Sequence, residues 1–347
     1  MIRSVGIRSS LVALALVGSG CGGDGEKATD STPGMTREEA VGAFVSEVVV
    51  PANEVAADSA EAAASAVAAL CASPSEASLV PARAAVAAGW GAWRATDTFD
   101  MGPAMDRRST SVVSYKVDPE KVDVALAATP PTDPETVRNR TSSSVRGYGA
   151  AWHLLTADAA AFAGQPQRCA YLSAVLAVIV EEAGAVRDGW TDGLDGAPAF
   201  RETATGSGSD ALTPTDVIDA VVNMQLSQLE TSAKLLTAVA EAEPGSTHEL
   251  PAGELFQLSA QMGGFSATYD RLGDLLDPAL VKTVAKEIAT IERLLSEASM
   301  LPSEVDPTAA DAGEVAEAVE ALRSTIATEV VSALDVTISF SENDGDS

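Results

Sequence analysis

Apolar residues recur along this chain at steps of three and four, the spacing that places them on one face of an α-helix. Val281, Val284, Ile288, Ile291 and Leu295 step in this way, as do Leu172, Val175, Ile179, Ala183, Val186 and Trp190. Val222, Leu229 and Leu236 repeat every seven residues, and Val315, Val319, Leu322 and Ile326 continue the pattern near the end. A stripe of this kind must be buried against another, so the expected fold is all-α, with long up-and-down helices packed as bundles of the four-helix type. Aromatic residues make up only 4% of a chain that is 46% hydrophobic. Alanine carries much of the difference, which predicts helices approaching closely through small side chains.

Capping chemistry marks where the helices begin, because a side-chain oxygen accepts from backbone N–H groups that the first turn leaves unpaired. Thr36-Arg37-Glu38-Glu39 reads as a capping box opening a helix towards Cys71, with a kink at Pro51. Ser73-Pro74-Ser75-Glu76 reads as a second, followed by a buried stripe of Leu79, Val86, Trp90 and Trp93. Thr213-Pro214-Thr215-Asp216 opens a third, and Asp277-Pro278 and Asp306-Pro307 are further cap-and-proline pairs.

Two breaks interrupt the helical pattern. Residues 191–210 are polar and Gly-rich, dividing the body into a first bundle over 36–195, a linker over 196–212 and a second bundle over 213–347. Within the first half, 96–136 is rich in Pro, Asp and Gly and reads as a long irregular insertion, a feature more often functional than idle. At the C-terminus Val336, Ile338 and Phe340 alternate, suggesting a short extended segment.

The first 21 residues read as a secretory signal peptide: Arg3 and Arg8, an apolar run from Leu11 to Val17, then small residues to Cys21. That run is far short of the roughly 18 residues a membrane-crossing helix needs. Val17-Gly18-Ser19-Gly20-Cys21 resembles the lipobox of bacterial lipoproteins, with Gly18 where Leu is commoner. The resemblance implies lipidation of Cys21 and a membrane anchor, with residues 22–35 as a flexible tether. Gly22 after the cysteine resembles the outer-membrane sorting pattern more than the inner. The protein is therefore expected in the cell envelope, facing the periplasm. The other reading is an ordinary secreted chain in which Cys21 is incidental.

With Cys21 assigned to lipid, Cys71 and Cys169 remain, an even number in an oxidising compartment. One disulfide between them is expected; two buried free thiols are the alternative. The formal net charge is −28, with 50 acidic residues against 22 basic. Such a charge excludes nucleic acid as an electrostatic partner and leaves cations or a basic protein surface. A solvated acidic surface that favours solubility explains it more simply than any specific role.

Several fragments taken in order resemble one family. They are ALCASP, GWGAWRATDTFDMGPAMDRR, VRGYGAAWHLL, RCAYLSAVLAVIVEEAGAVRDGW and the ending LDVTISFSENDGDS. Together they resemble the imelysin family of bacterial envelope proteins, also known as imelysin-like peptidases and iron-regulated proteins. The resemblance runs from about Thr36 to the end and implies two helical-bundle halves. The family's motif is G-x-H-x-x-E, proposed to hold a metal ion or serve a peptidase site. His and Glu three residues apart on a helix project together, as metal ligands must.

On this chain the motif falls on Gly147-Tyr148-Gly149-Ala150-Ala151-Trp152, with Gly149 in the His place and Trp152 in the Glu place. The space of the two lost side chains is read as refilled by the Trp152 indole, with Gly149 letting it lie down or letting a neighbouring helix approach. His153 lies one residue past the motif and lacks a carboxylate at the right spacing; it reads either as a ligand contact or as a capped, partly exposed helix residue. His248 sits in a loop-like stretch without a ligand pattern. Trp93, Asp97, Gly102 and Pro103 match the family's Trp, acidic and Phe-x-x-Gly-Pro segment, with Arg107 and Arg108 following. One reading has Asp97, Asp100 and Arg108 lining a cleft beside Gly147, Gly149, Trp152 and His153. The other has Asp97 ending a helix and the arginines paired with nearby carboxylates.

No HExxH helix, GxSxG elbow or phosphate loop occurs in the sequence. The expected protein is a non-catalytic envelope lipoprotein that binds a ligand or an envelope partner in connection with iron acquisition. Iron or another divalent metal enters as a cofactor through the resemblance alone. The alternatives are a scaffold without a small ligand and an active metallopeptidase with ligands not recognised in the sequence.

Overall fold

The computed structural model describes residues 35–207, 211–241, 254–297 and 309–338. Among them there is no strand, and the chain is a succession of helices as the periodicity predicts. α1 (Arg37–Phe44) starts at Thr36 with a complete capping box: Glu39 N donates to Thr36 Oγ1 at 3.2 Å, and Thr36 N donates to Glu39 Oε2 at 2.8 Å. A π-helical turn, Val45–Val49, joins it to α2 (Val50–Ala72). The break expected at Pro51 is thus a widened turn just upstream. A wider turn absorbs both the missing proline N–H and the ring's clash with the preceding turn.

α3 (Glu76–Thr96) begins two residues later than its sequence signal. Ser73 closes α2, its N–H reaching Ala69 O at 3.1 Å, so Ser75 becomes the cap and Ser78 supplies the reciprocal bond. Residues 96–136 are not irregular. A 3-10 turn, Asp97–Phe99, leads to four short helices, α4 (Pro103–Arg107), α5 (Thr110–Val113), α6 (Pro119–Ala127) and α7 (Pro134–Arg140). Three of them start with proline, and Asp118 and Asp133 cap two, accepting from Lys121 N and Thr136 N. Each is too short for a stripe to repeat, which is why the composition read as loop.

α8 (Gly147–Leu155) and α9 (Ala159–Gly164) lead into α10 (Pro166–Thr191), which packs against α2, α7 and α8. By length and composition α10 is apolar enough to cross a membrane; here its Leu172, Val175, Ile179, Ala183, Val186 and Trp190 are core. Cys71 at the end of α2 is disulfide-bonded to Cys169 at the start of α10, Cα atoms 5.6 Å apart. The segment joining α10 to the next long helix carries α11 (Phe200–Ala204), whose Phe200 meets Trp190 edge to face at 4.9 Å.

α12 (Pro214–Ala240) opens with the Thr213–Asp216 capping box. It packs on α15 (Ala309–Thr325), and α14 (Pro278–Glu297) packs on both α13 (Glu254–Leu272) and α15. Asp277 caps α14 by accepting from Ala279 N at 2.7 Å; Asp306-Pro307 lies outside the described residues. After a second π turn, Ile326–Val330, and α16 (Val331–Leu334), residues 336–338 lie on α12, where Asn223 Nδ2 donates to Thr337 O at 2.9 Å. Val336 is buried and Ile338 exposed, so the alternation does not mark one buried face; Phe340 lies outside the described residues. α3 also packs along α13, and α1 contacts α12 and α13, so the described residues cluster as one compact unit.

Candidate functional site

The motif helix α8 is buried at almost every position. Gly147 has φ +76°, and a Cβ there would stand 2.4 Å from Val113 O, so the backbone of α5 presses on the start of α8. A Cβ on Gly149 would stand 2.8 Å from Val117 Cβ. The space above Gly149 is therefore taken by Val117, in the segment joining α5 to α6, whose side chain supplies the three nearest atoms. Trp152 is core, 4% exposed, with Nε1 lacking a hydrogen-bond partner in the protein. His153 faces α6, its Nε2 2.9 Å from Asp123 Oδ1.

These positions do not fit a metal ion. Glycine offers no donor, and an indole N–H has no lone pair to give. Among the described residues no three of His, Cys, Asp and Glu converge as a ligand set. Cys21 and His248 lie outside the described residues.

Asp97 and Asp100 lie together at the end of α3. Asp97 is buried and pairs with Arg94 across 2.5 Å, while its backbone carbonyl accepts from Gln228 Nε2 of α12. Burial pushes the Asp97 carboxyl up to about 6, against the pull of Arg94 and with a further push from Asp100. Asp100 is likewise raised by burial, although Thr110 Oγ1 donates to it at 3.1 Å.

Arg108 does not join them. It adopts φ +55° at the end of α4 and is exposed, and this left-handed turn separates it from Arg107. Arg107 turns inward to Glu182 of α10, with Nε to Oε1 and Nη2 to Oε2 both 2.9 Å. Arg138 Nη1 and Ser109 Oγ complete the cluster, each 2.7 Å from the same carboxylate. Burial alone would raise the Glu182 pKa, yet these donors outweigh it and hold the group below the usual carboxylate value. The cluster fastens the short helices to α10. Its sequence signal was the pair Glu181-Glu182 interrupting an otherwise apolar stripe.

A cavity of about 290 Å³ opens between α3, residues 110–117, α12 and α13. Val117, pressed onto Gly149, is part of its wall, so Gly149 lies behind the lining. Among the described residues, Arg94 and Lys116 are the charged ones that line it. Gln257 and Gln261 stand one turn apart on α13, buried at 6% and 4% exposure, and Gln228 enters from α12. Glutamine is not a catalytic residue type and so does not stand out in the sequence, although two amides four residues apart on a core face are a visible signal. Trp90, read as core, is core on one side and cavity wall on the other.

The model of the imelysin family, Peptidase_M75, matches residues 49–328. No curated protein matches the sequence. The fold is similar to the crystal structure of an imelysin-like protein from Psychrobacter arcticum 273-4. It is equally similar to that of a protein described as an iron-regulated protein A precursor, from Parabacteroides distasonis ATCC 8503. In each case the TM-score is 0.68 at 16% identity, covering 88% of this chain and 97% of the other. With the family model spanning most of the sequence and the fold agreeing over nearly the whole of both solved chains, the protein belongs to the imelysin family.

Proposed function

We propose that this imelysin-family protein is a non-catalytic envelope lipoprotein, anchored through Cys21, that binds a ligand between its two helical halves in connection with iron acquisition. The halves, 36–195 and 213–347 joined through 196–212, are the two walls of the binding cleft. One observation carries the non-catalytic reading: the His and Glu places of the family motif are Gly149 and Trp152, and Val117 fills the space above the glycine. The cavity next to it, lined by amides, hydroxyls and two cations, supports binding. The link to iron is supported by the description of the Parabacteroides protein as iron-regulated.

Metal content and proteolysis test the reading together. The purified protein is expected to carry no stoichiometric transition metal after dialysis, and to leave an unfolded protein substrate intact with or without a chelator. One tightly held metal per chain, or cleavage that stops on chelation, would contradict it. Cys21→Ala is expected to move the protein from the membrane fraction to the soluble one.

A further inference from the structure

We propose that the cavity between α3, α12 and α13 binds a small organic carboxylate that also carries a hydroxyl or amine. Arg94, Lys116 and the Trp90 indole take the carboxylate, and Gln228 takes the second group. The proposal rests on the binding role argued above and names its ligand class.

Charge is the first support. Among the described residues that line this cavity none is Asp or Glu, while Arg94 and Lys116 both line it. Lys116 has no ion-pair partner among the described residues. Arg94 Nη1 is held by Asp97 outside the lining, so the unpaired charge is that of Lys116, and with the Arg94 Nε donor beside it this cation favours an anion over a metal ion or an amine.

Unmet hydrogen-bonding capacity is the second support. Trp90 is 3% exposed and Ser114 7%, and Trp90 Nε1, Ser114 Oγ and Arg94 Nε all lack partners in the protein. Indole and guanidinium N–H groups can only donate, so what satisfies them must accept. A buried donor left unmet costs free energy, which an apolar occupant would not recover.

Gln228 gives the ligand its second requirement. Its Nε2 donates to the Asp97 carbonyl, which fixes the amide and leaves Oε1 as an acceptor without a partner. A ligand that fills the site needs a donor as well as an anionic group. Inorganic phosphate offers the charge but not the separate hydroxyl or amine. A volume of about 290 Å³ suits a molecule of metabolite size.

The test is calorimetric titration of the purified protein at neutral pH with lactate, malate, citrate and glutamate, beside inorganic phosphate and the uncharged 1,4-butanediol. At least one carboxylate is expected to bind saturably, more tightly than phosphate or the diol. Lys116→Gln, on an exposed side chain, and Trp90→Phe, which keeps the aromatic body, are each expected to weaken it about tenfold. Thermal melts of both variants verify that the fold is kept.

Absence of binding by all four carboxylates, equal binding of phosphate or the diol, or unchanged affinity in Lys116→Gln would overturn the assignment. These failures are separable from failure of the non-catalytic reading. A protein free of metal and peptidase activity that binds no carboxylate loses only the ligand class, whereas one that cleaves protein loses the broader role.

Discussion

Val117 stands directly over Gly149: a Cβ on the glycine would lie 2.8 Å from Val117 Cβ, closer than two such atoms can stay. The position that carries a histidine in the family motif is therefore closed by a side chain from a different segment. Because Val117 also lines the cavity, the closed motif and the open site share one residue.

Gly149→Ala is expected to destabilise the protein by about 1–3 kcal/mol, the usual range for overpacking a filled core. Val117→Gly should relieve most of that loss in the double variant. Urea titrations of the two singles and the double form the cycle, and additive losses would show that the contact is not the cause.

Asp97 makes stability depend on pH in an unusual direction. Its folded pKa, about 6, lies above the ordinary aspartate value of 3.8, so the folded state holds this proton more firmly than the unfolded chain. Stability from this group is fully present below about 4 and is lost as the pH rises through 6, a change on the order of 3 kcal/mol. Asp97→Asn should flatten the profile between pH 4 and 7, read from denaturant midpoints about one pH unit apart.

Glu182 behaves oppositely, because its folded pKa is held below 4.5. Its contribution is present above about 4.5 and is lost as the pH falls through the lower folded value. Glu182→Gln leaves Arg107 and Arg138 without their shared carboxylate and should cost about 3–5 kcal/mol at neutral pH. Thermal melting at pH 7 measures it, and a loss below 1 kcal/mol would show that the cluster does not fasten α10 to the short helices.

The disulfide between Cys71 and Cys169 closes a loop with a sequence separation of 98. In the chain-entropy model this is worth about 4–5 kcal/mol. The Cys71→Ala, Cys169→Ala double variant should unfold at correspondingly lower denaturant. Its compared helical circular dichroism in buffer tells whether the native fold persists without the link.

Local chemistry made much of the scaffold legible. The stripe on α10 and the Thr36 and Thr213 caps each depend on neighbours three or four residues away, and such relationships are written along the chain. Ser73 was misleading because two overlapping signals competed, and closing α2 took precedence over opening α3. Arg107 and Arg108 look alike in sequence, yet a single left-handed residue turns one inward to Glu182 and leaves the other in water. The cavity was the least legible, since its lining comes from α3, residues 110–117, α12 and α13.

By itself the sequence determined that this chain is helical, and that the stretch resembling the family motif carries Gly149 and Trp152, because periodicity, capping and residue identity are local properties. Only the tertiary structure decided what took the motif's place. Val117 reaches Gly149 from a segment some thirty residues away, and the polar side chains that face the cavity belong to helices far apart in sequence. Which side chains share a space is set by packing between helices, a relationship that no stretch of the chain records alone.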